Sequence, residues 1–438
     1  MARVLLIVPV LPQRLGAPYL GQQYIAASLL AHGHEVVCLD LAAVCSTLSE
    51  DDAYAVAAEF RPDLIGMTLF TYNALTGYRL ARRLGGLGAL LVAGGPHPTI
   101  VPEEPLGRGF DVSVKGEGEL VILELANAVD DGVRPSGVHT QEAIEDLDAL
   151  HFPHTSEGCY DPRQYHPDIT VVPGGMMTSR GCPARCTFCA NYVTGRAYRW
   201  RSSDNVIAEM RGLAQAHGVR HFPFFDDAFT AGKPRLEALC AAIEIDPVLR
   251  GCTWTCITPG NMVRAKDLAM MRRAGCVAIN FGLESGDLDV LRRIGKGVRP
   301  ERVRDAVRAA RAAGMITVVN FMFGFPGEGV DALLRTRDFM ETLAPDTDFF
   351  NNRGVLVPFP GTAIYDAHHE EYGFTRWWLD PARIPVEPEV SDLYSDPALA
   401  MDYFGYSEPV REAIAACVHF KADHNARRTQ QSFAAAQS

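Results

Sequence analysis

Along the first 125 residues, short apolar runs alternate with stretches whose apolar positions recur every three or four residues. "RVLLIVPV", "EVVCLD", "DLIGMTLF", "ALLVAGG" and "FDVSVKG" have the length and apolar character of strands buried on both faces. Between them, "GQQYIAASLLAHGH", "DDAYAVAAEFRP", "LTGYRLARRLGGLG" and "GELVILELANAV" carry helical spacing, with Gly33 and Pro62 as stops for the first two. This alternation predicts an α/β domain over residues 1–130, a doubly wound, Rossmann-like sheet of five parallel strands. Ligands of such sheets sit at the carboxyl ends of the strands, here Thr68–Tyr72, Gly94–Thr99 and Gly116–Glu119. Within the last of these, "KGEGEL" reads as a turn into a helix with Glu117 and Glu119 near its start.

The periodicity fades over 131–172, where Pro, His, Gly and Asp accumulate, and a linker is expected. A second alternation fills residues 173–375. "GMMTSRG", "RHFPFFDD", "CTWTCIT", "VAINFGLES", "ITVVNFMFG" and "TDFFNNRGVLV" read as strands, each followed by a helical segment or by the cysteine-rich loop. Six β/α units fall short of the eight of a closed barrel, so a partial, TIM-like (β/α)6 barrel is predicted. Residues 376–438 form a C-terminal extension, aromatic and acidic in its first part.

A chain of 438 residues exceeds one ordinary core, which agrees with two domains. Its 47% apolar and 21% charged residues are those of an ordinary globular protein. The net charge of −12 and the lack of a Lys/Arg run speak against a nucleic-acid partner. Pro9 and Pro12 interrupt the N-terminal apolar run, which reads as a first strand and not as an export signal. No apolar stretch is long enough to span a bilayer. Eleven cysteines, an odd number without an export signal, argue against a disulfide framework and for a reducing cytoplasm.

Eight of those cysteines are scattered and read as packed hydrophobes. The other three, Cys182, Cys186 and Cys189, lie within "TSRGCPARCTFCANY" at C-x3-C-x2-C spacing. Gly181, Pro183 and Thr187 mark an exposed loop after a strand, where thiolates reach a ligand. A structural zinc or a ferredoxin-type cluster needs a fourth ligand. The nearest cysteines are 159 and 240, so a cluster with one open iron competes with zinc and with simple packing.

C-x3-C-x-aromatic-C, with Phe188 as the aromatic, after the first strand of a six-unit β/α barrel, resembles the radical S-adenosylmethionine (SAM) superfamily. That resemblance implies a [4Fe-4S] cluster on the three cysteines, its free iron chelating the amino and carboxylate groups of SAM. One electron then cleaves the sulfonium to a 5′-deoxyadenosyl radical, and a flavodoxin- or ferredoxin-like partner is implied as donor. It places Asp226 or Asp227 of "FFDDAFT" at the SAM amino group and Glu284 of "INFGLESG" at the ribose hydroxyls. "NFMFGFPGE", with Gly324, lies along the adenine, and Asn320 stands where the family has its first glycine.

The N-terminal sheet resembles the cobalamin-binding domain of one large subgroup. Thr68, Gly94 and Gly95 then approach the nucleotide tail of the cofactor. The D-x-H-x-x-G stretch that supplies a lower histidine ligand is absent, replaced by "PVLPQRLGAPYLG". Leu69, Phe70 and Thr71 are candidates to shield the lower face, and His97 reads as a loop hydrogen bonder. Together the two resemblances imply a cobalamin-dependent radical SAM enzyme that C-methylates an unactivated carbon of a small molecule. A non-methylating cyclisation or ring contraction is the alternative, and an iron–sulfur electron carrier or sensor the remote one. Asn280, Asn320, Asn351, Arg353 and Cys256 are candidates to touch substrate, Cys256 reading more readily as packing.

Overall fold

The computed structural model describes residues 1–11, 18–43, 46, 48–160, 175–351, 354–384 and 402–437, with backbone alone at Tyr192 and 431–437. Arg353, residues 12–17, residues 161–172 of the expected linker and 385–401 of the extension lie outside them. The chain divides into two units: 1–173 with 376–386, and 174–375 with 387–438.

In the first unit, β1 (Arg3–Val8), β2 (Glu35–Asp40), β3 (Leu64–Thr68), β4 (Leu90–Gly94) and β5 (Val112–Gly116) are the five expected strands. α1 (Leu20–Ala31), α2 (Glu50–Phe60), α3 (Ala74–Leu84), α4 (Pro96–Ile100) and α5 (Val121–Asp130) connect them. Ser49 and Asp52 cap α2 reciprocally, which fixes where that helix begins. The stretch 131–172, expected as a linker, instead contributes a sixth strand, β6 (Gly137–Gln141). Its "GVHTQ" pairs in parallel with β5 but is half-buried at the sheet edge, so it lacks the apolar run of a central strand. Among the described residues the order is β2-β1-β3-β4-β5-β6, all parallel. The order reverses between β1 and β3, which puts the ligand crevice at their carboxyl ends.

In the second unit the parallel sheet runs β13-β12-β11-β10-β9. The strands are β9 (His221–Pro223), β10 (Thr253–Pro259), β11 (Cys276–Glu284), β12 (Ile316–Phe321) and β13 (Phe349–Asn351). A parallel bridge from Met176 to Phe224 adds the chain just before the cysteines as the sixth position. α6 (Ser203–Ala216), α7 (Lys233–Ile245), α8 (Ala265–Arg273), α9 (Leu288–Arg293), α10 (Pro300–Ala312), α11 (Val330–Leu343) and α12 (Ala363–His368) alternate with these strands. The short pair β7 (Ser179–Arg180) and β8 (Arg199–Trp200) runs antiparallel. Edge strand β13 is covered by α13 (Glu408–Gln437): the Asn425 amide donates to Phe350 O and accepts from Phe350 N, both at 2.9 Å. The C-terminal extension is therefore in part a wall of this unit.

Candidate active site

β7 and β8 close the base of the cysteine loop. Gly181, at φ +84°, makes the turn into it, and a Cβ there would lie 2.9 Å from Gly195 O. Asp226 holds that base in place. It accepts from the Thr178 and Ser179 amides at 2.6 and 3.0 Å, and its other oxygen takes the Thr178 hydroxyl and Arg235. Asp226 borders the site, but its carboxylate is engaged inside the fold. Its neighbour Asp227 accepts from the Thr194 hydroxyl at 3.2 Å, and burial raises its pKa above the usual carboxylate range.

Cys182, Cys186, Cys189, Phe188, Asp227, Glu284, Lys296 and Asn320 line one cavity of about 460 Å³ at the carboxyl ends of the strands. Burial raises the thiol pKa of Cys186 and pushes that of Cys189 up to about 12, so a bound metal must displace their protons. Among the described residues no three His, Cys, Asp or Glu groups converge as a single metal ion needs. A four-iron cluster places each thiolate on its own iron and has no such requirement.

Glu284 reaches the cavity through a β-bulge. Gly282 pairs with Asn320 and Glu284 with Phe321, leaving one extra residue on β11. Glu284 itself sits at φ +76°, an unusual conformation for a non-glycine residue that concentrates at functional sites. Its Oε1 accepts from Lys296 Nζ at 2.7 Å, while its buried Oε2 has no partner among the described residues. Asn320 Oδ1 and Asn280 Oδ1 are likewise buried and unpartnered. A native fold tolerates such orphans chiefly where a ligand or water completes them. Thiols on a loop, an orphaned carboxylate oxygen and an orphaned amide oxygen at one cavity fit a cluster with a polar organic ligand beside it.

Gly324 is fixed rather than open. Its amide and that of Phe325 donate to Glu328 Oε2 at 2.7 and 3.1 Å, and its carbonyl accepts from the Tyr406 hydroxyl at 2.6 Å. Phe325 packs on Phe188, ring centroids 5.6 Å apart, which ties this turn to the cysteine loop. Cys256 is fully buried beside Cys276, and Asn351 is exposed at the end of β13. Lys296, Glu328 and Tyr406 escaped the sequence reading. The Gly-Lys-Gly of "RRIGKG" was the available signal for Lys296, while Tyr406 gave none.

In the first unit, Thr68 and Gly94 are half-buried at the ends of β3 and β4, and a Cβ on Gly94 would meet open space. Gly95, at φ +100°, brings backbone against Leu69, whose carbonyl would lie 3.1 Å from a Cβ. Leu69 and Thr71 are buried, whereas Phe70 stays half-exposed against Tyr19, in an apolar cluster with Val8, Leu11 and Tyr72. A glycine edge open to approach and an apolar platform beside it fit a flat organic cofactor with a tail. His97 does not face that edge. Its ring nitrogens meet Thr71 Oγ1 at 3.3 Å, and Tyr78 Oη at 3.0 Å with Glu104 at 3.3 Å. Trp378, from the returning segment 376–384, packs edge-on to His97 and donates to Glu104 at 2.9 Å. Burial opposes ionisation of Glu104, but His97, Trp378 and Tyr78 outweigh it and hold the carboxyl at about 2.

Residues 176–340 match the radical SAM superfamily, and residues 15–126 match the B12 binding domain. An uncharacterized methyltransferase of Pyrococcus horikoshii is 30% identical over 371 residues, covering 80% of this chain and 78% of its own. The bacteriochlorophyllide d C-12(1)-methyltransferase of Chlorobaculum tepidum is 26% identical, covering 72% and 68%. A fold likeness extends to the radical SAM methyltransferase TsrM of Kitasatospora setae, solved with cobalamin and a 4Fe–4S cluster. Its TM-score is 0.67 at 21% identity, covering 94% of this chain and 86% of that one. No helix among the described residues is long and apolar enough to cross a membrane. The chain thus belongs to the radical SAM superfamily, in the branch whose barrel follows a B12-binding domain, and its cofactors are a 4Fe–4S cluster, SAM and cobalamin.

Proposed function

We propose that this enzyme transfers a methyl group to an unactivated carbon of a small-molecule substrate. The observation that carries the reading is the cavity where three loop thiols meet the unpartnered Glu284 Oε2, in one chain with an open glycine edge at β3 and β4. Relatives named as methyltransferases support it. When bound, the cluster with SAM supplies a one-electron route to a carbon radical, and cobalamin a methyl carrier. The chain supplies position and electrostatics. Cys182, Cys186 and Cys189 hold the cluster. Glu284 Oε2 accepts from ribose hydroxyls while Lys296 fixes its other oxygen. Asp227, rather than the engaged Asp226, receives the SAM ammonium. Asn320 and the Gly324 turn would bound the nucleoside, Thr68, Gly94 and Gly95 would take the cobalamin tail, and the apolar Phe70 cluster would shield the cofactor's lower face. A flavodoxin- or ferredoxin-like protein delivers the electron.

Full-length protein, reconstituted anaerobically and given dithionite and SAM, tests this. Formation of both 5′-deoxyadenosine and S-adenosylhomocysteine supports methyl donation with radical chemistry. 5′-Deoxyadenosine without S-adenosylhomocysteine supports a rearrangement instead, and neither product refutes the catalytic reading. Corrinoid extraction from the same preparation tests the first unit separately.

A further inference from the structure

The turn after α9 is bound to the cysteine loop through backbone. Thr187 N donates to Ile294 O at 2.9 Å. Gly295, at φ +64°, lies so close that a Cβ would meet Arg185 O at 2.8 Å, so only glycine permits the approach. Asn261 pins the far side by donating to Gly297 O at 3.0 Å. Lys296 stands between these anchors and has little freedom to leave. Its Nζ is 2.7 Å from Glu284 Oε1 and 5.6 Å from the ring centroid of Phe188, the residue between Cys186 and Cys189. The two charged side chains are only 10% and 7% exposed, so water screens them poorly.

We propose that Lys296 sets the reduction potential of the cluster held by Cys182, Cys186 and Cys189, with Glu284 as the opposing charge. Reduction adds an electron to a cluster already surrounded by thiolates. A fixed ammonium on the same cavity wall stabilises the reduced form and raises the potential, and a carboxylate lowers it. Charge near a cluster and its exposure to solvent are among the main controls on its potential. Burial opposes the Lys296 charge, but the Glu284 carboxylate at 2.7 Å outweighs it and raises the lysine pKa above its usual value. Lys296 is thus a positioning residue for charge. It acts on the cluster's energetics without ligating iron. The same ammonium steadies the carboxylate assigned to the ribose, which links the nucleoside site to the cluster.

The inference rests on the cluster reading of the three cysteines, and the test separates the two. Full-length wild type, Lys296→Met, Lys296→Arg, Glu284→Gln and the double variant Lys296→Met/Glu284→Gln are reconstituted with iron and sulfide. Each is titrated without SAM against redox mediators, followed by the electron paramagnetic resonance of the reduced cluster. Iron and sulfide per chain are measured alongside. Lys296→Met should move the midpoint negative, Glu284→Gln positive, and Lys296→Arg little, with the double variant between the single ones. A structural disturbance would move both single variants the same way. That result, or no movement at full iron content, overturns the proposal. Should Lys296→Met take up no cluster, Glu284→Gln decides alone: an unmoved or more negative midpoint overturns it. A wild-type chain without iron–sulfur absorbance overturns the cluster reading and this inference with it.

Discussion

Gly324→Ala tests whether the C-terminal extension holds the nucleoside turn. Two costs arise at this position. An alanine at φ +78° is strained by about 1–2 kcal/mol, because its Cβ crowds the carbonyl that follows. That Cβ would also lie 2.7 Å from Tyr406 Cζ, so the tyrosine must move and leave its 2.6 Å bond to Gly324 O. An abandoned buried carbonyl costs roughly 1–3 kcal/mol. The sum is about 2–5 kcal/mol, part of it as loss of order in the turn, since Glu328 still holds the two amides. Denaturant unfolding of the full chain reads the total. The KM for SAM in 5′-deoxyadenosine formation reads the share that reaches the site through Phe325 and Phe188. The decisive measurement repeats Gly324→Ala in a Tyr406→Ala background. With the ring gone, only the backbone strain remains, and the cost should fall to about 1–2 kcal/mol. Equal cost in both backgrounds would falsify the claim that Tyr406 and Gly324 are coupled.

Three further outcomes follow from the same geometry. Cys186→Ala should lose both the iron–sulfur absorbance and 5′-deoxyadenosine formation, and any residual SAM cleavage contradicts the cluster assignment. Trp378→Phe removes a donor to Glu104, whose folded carboxyl lies at about 2 against 4.5 ordinarily, and should destabilise the chain by roughly 1–3 kcal/mol at neutral pH. Because that carboxyl is depressed, its contribution is present above pH 4.5 and fades as pH falls towards 2, so the difference between wild type and variant should shrink there in denaturant titrations. Glu328 is shifted the other way, burial raising it to about 7 despite the two amides it accepts from. Folded protein then holds a proton that unfolded protein releases. Stability should fall as pH rises from 4.5 to 7, and Glu328→Gln should flatten that slope in the same titrations.

The two alternations of apolar runs and helical spacing were sufficient for the architecture, because both sheets are parallel and a helical segment separates successive strands; β1, β3 and β4 are buried on both faces, whereas β10 and β12 alternate buried with more open positions. What the pattern could not show lies at edges. β6 is half-buried and polar, so "GVHTQ" reads as loop. The segment 376–384 has no period at all, and its place depends on two buried tryptophans, Trp378 on His97 and Glu104 and Trp377 against Tyr72.

The site divides along the same line. Cysteine spacing is local, and a tight loop leaves it visible in the sequence. Neighbouring carboxylates are harder: Asp226 and Asp227 are indistinguishable by type and both border the cavity, and only the fold shows the Asp226 carboxylate bonded into the base of the cysteine loop. Lys296 and Tyr406 required tertiary structure. Lys296 is 12 residues from Glu284, beyond a helix, and Tyr406 is 82 residues from Gly324. Neither distance has a periodic signature. The glycines do leave one, since Gly295 and Gly324 occupy positive φ where another chain segment passes too close for a side chain. A glycine inside a motif of this kind therefore marks a hidden partner. Here the partners are the Arg185 carbonyl of the cysteine loop and the Tyr406 ring, and both lead back to Phe188 and the three thiols.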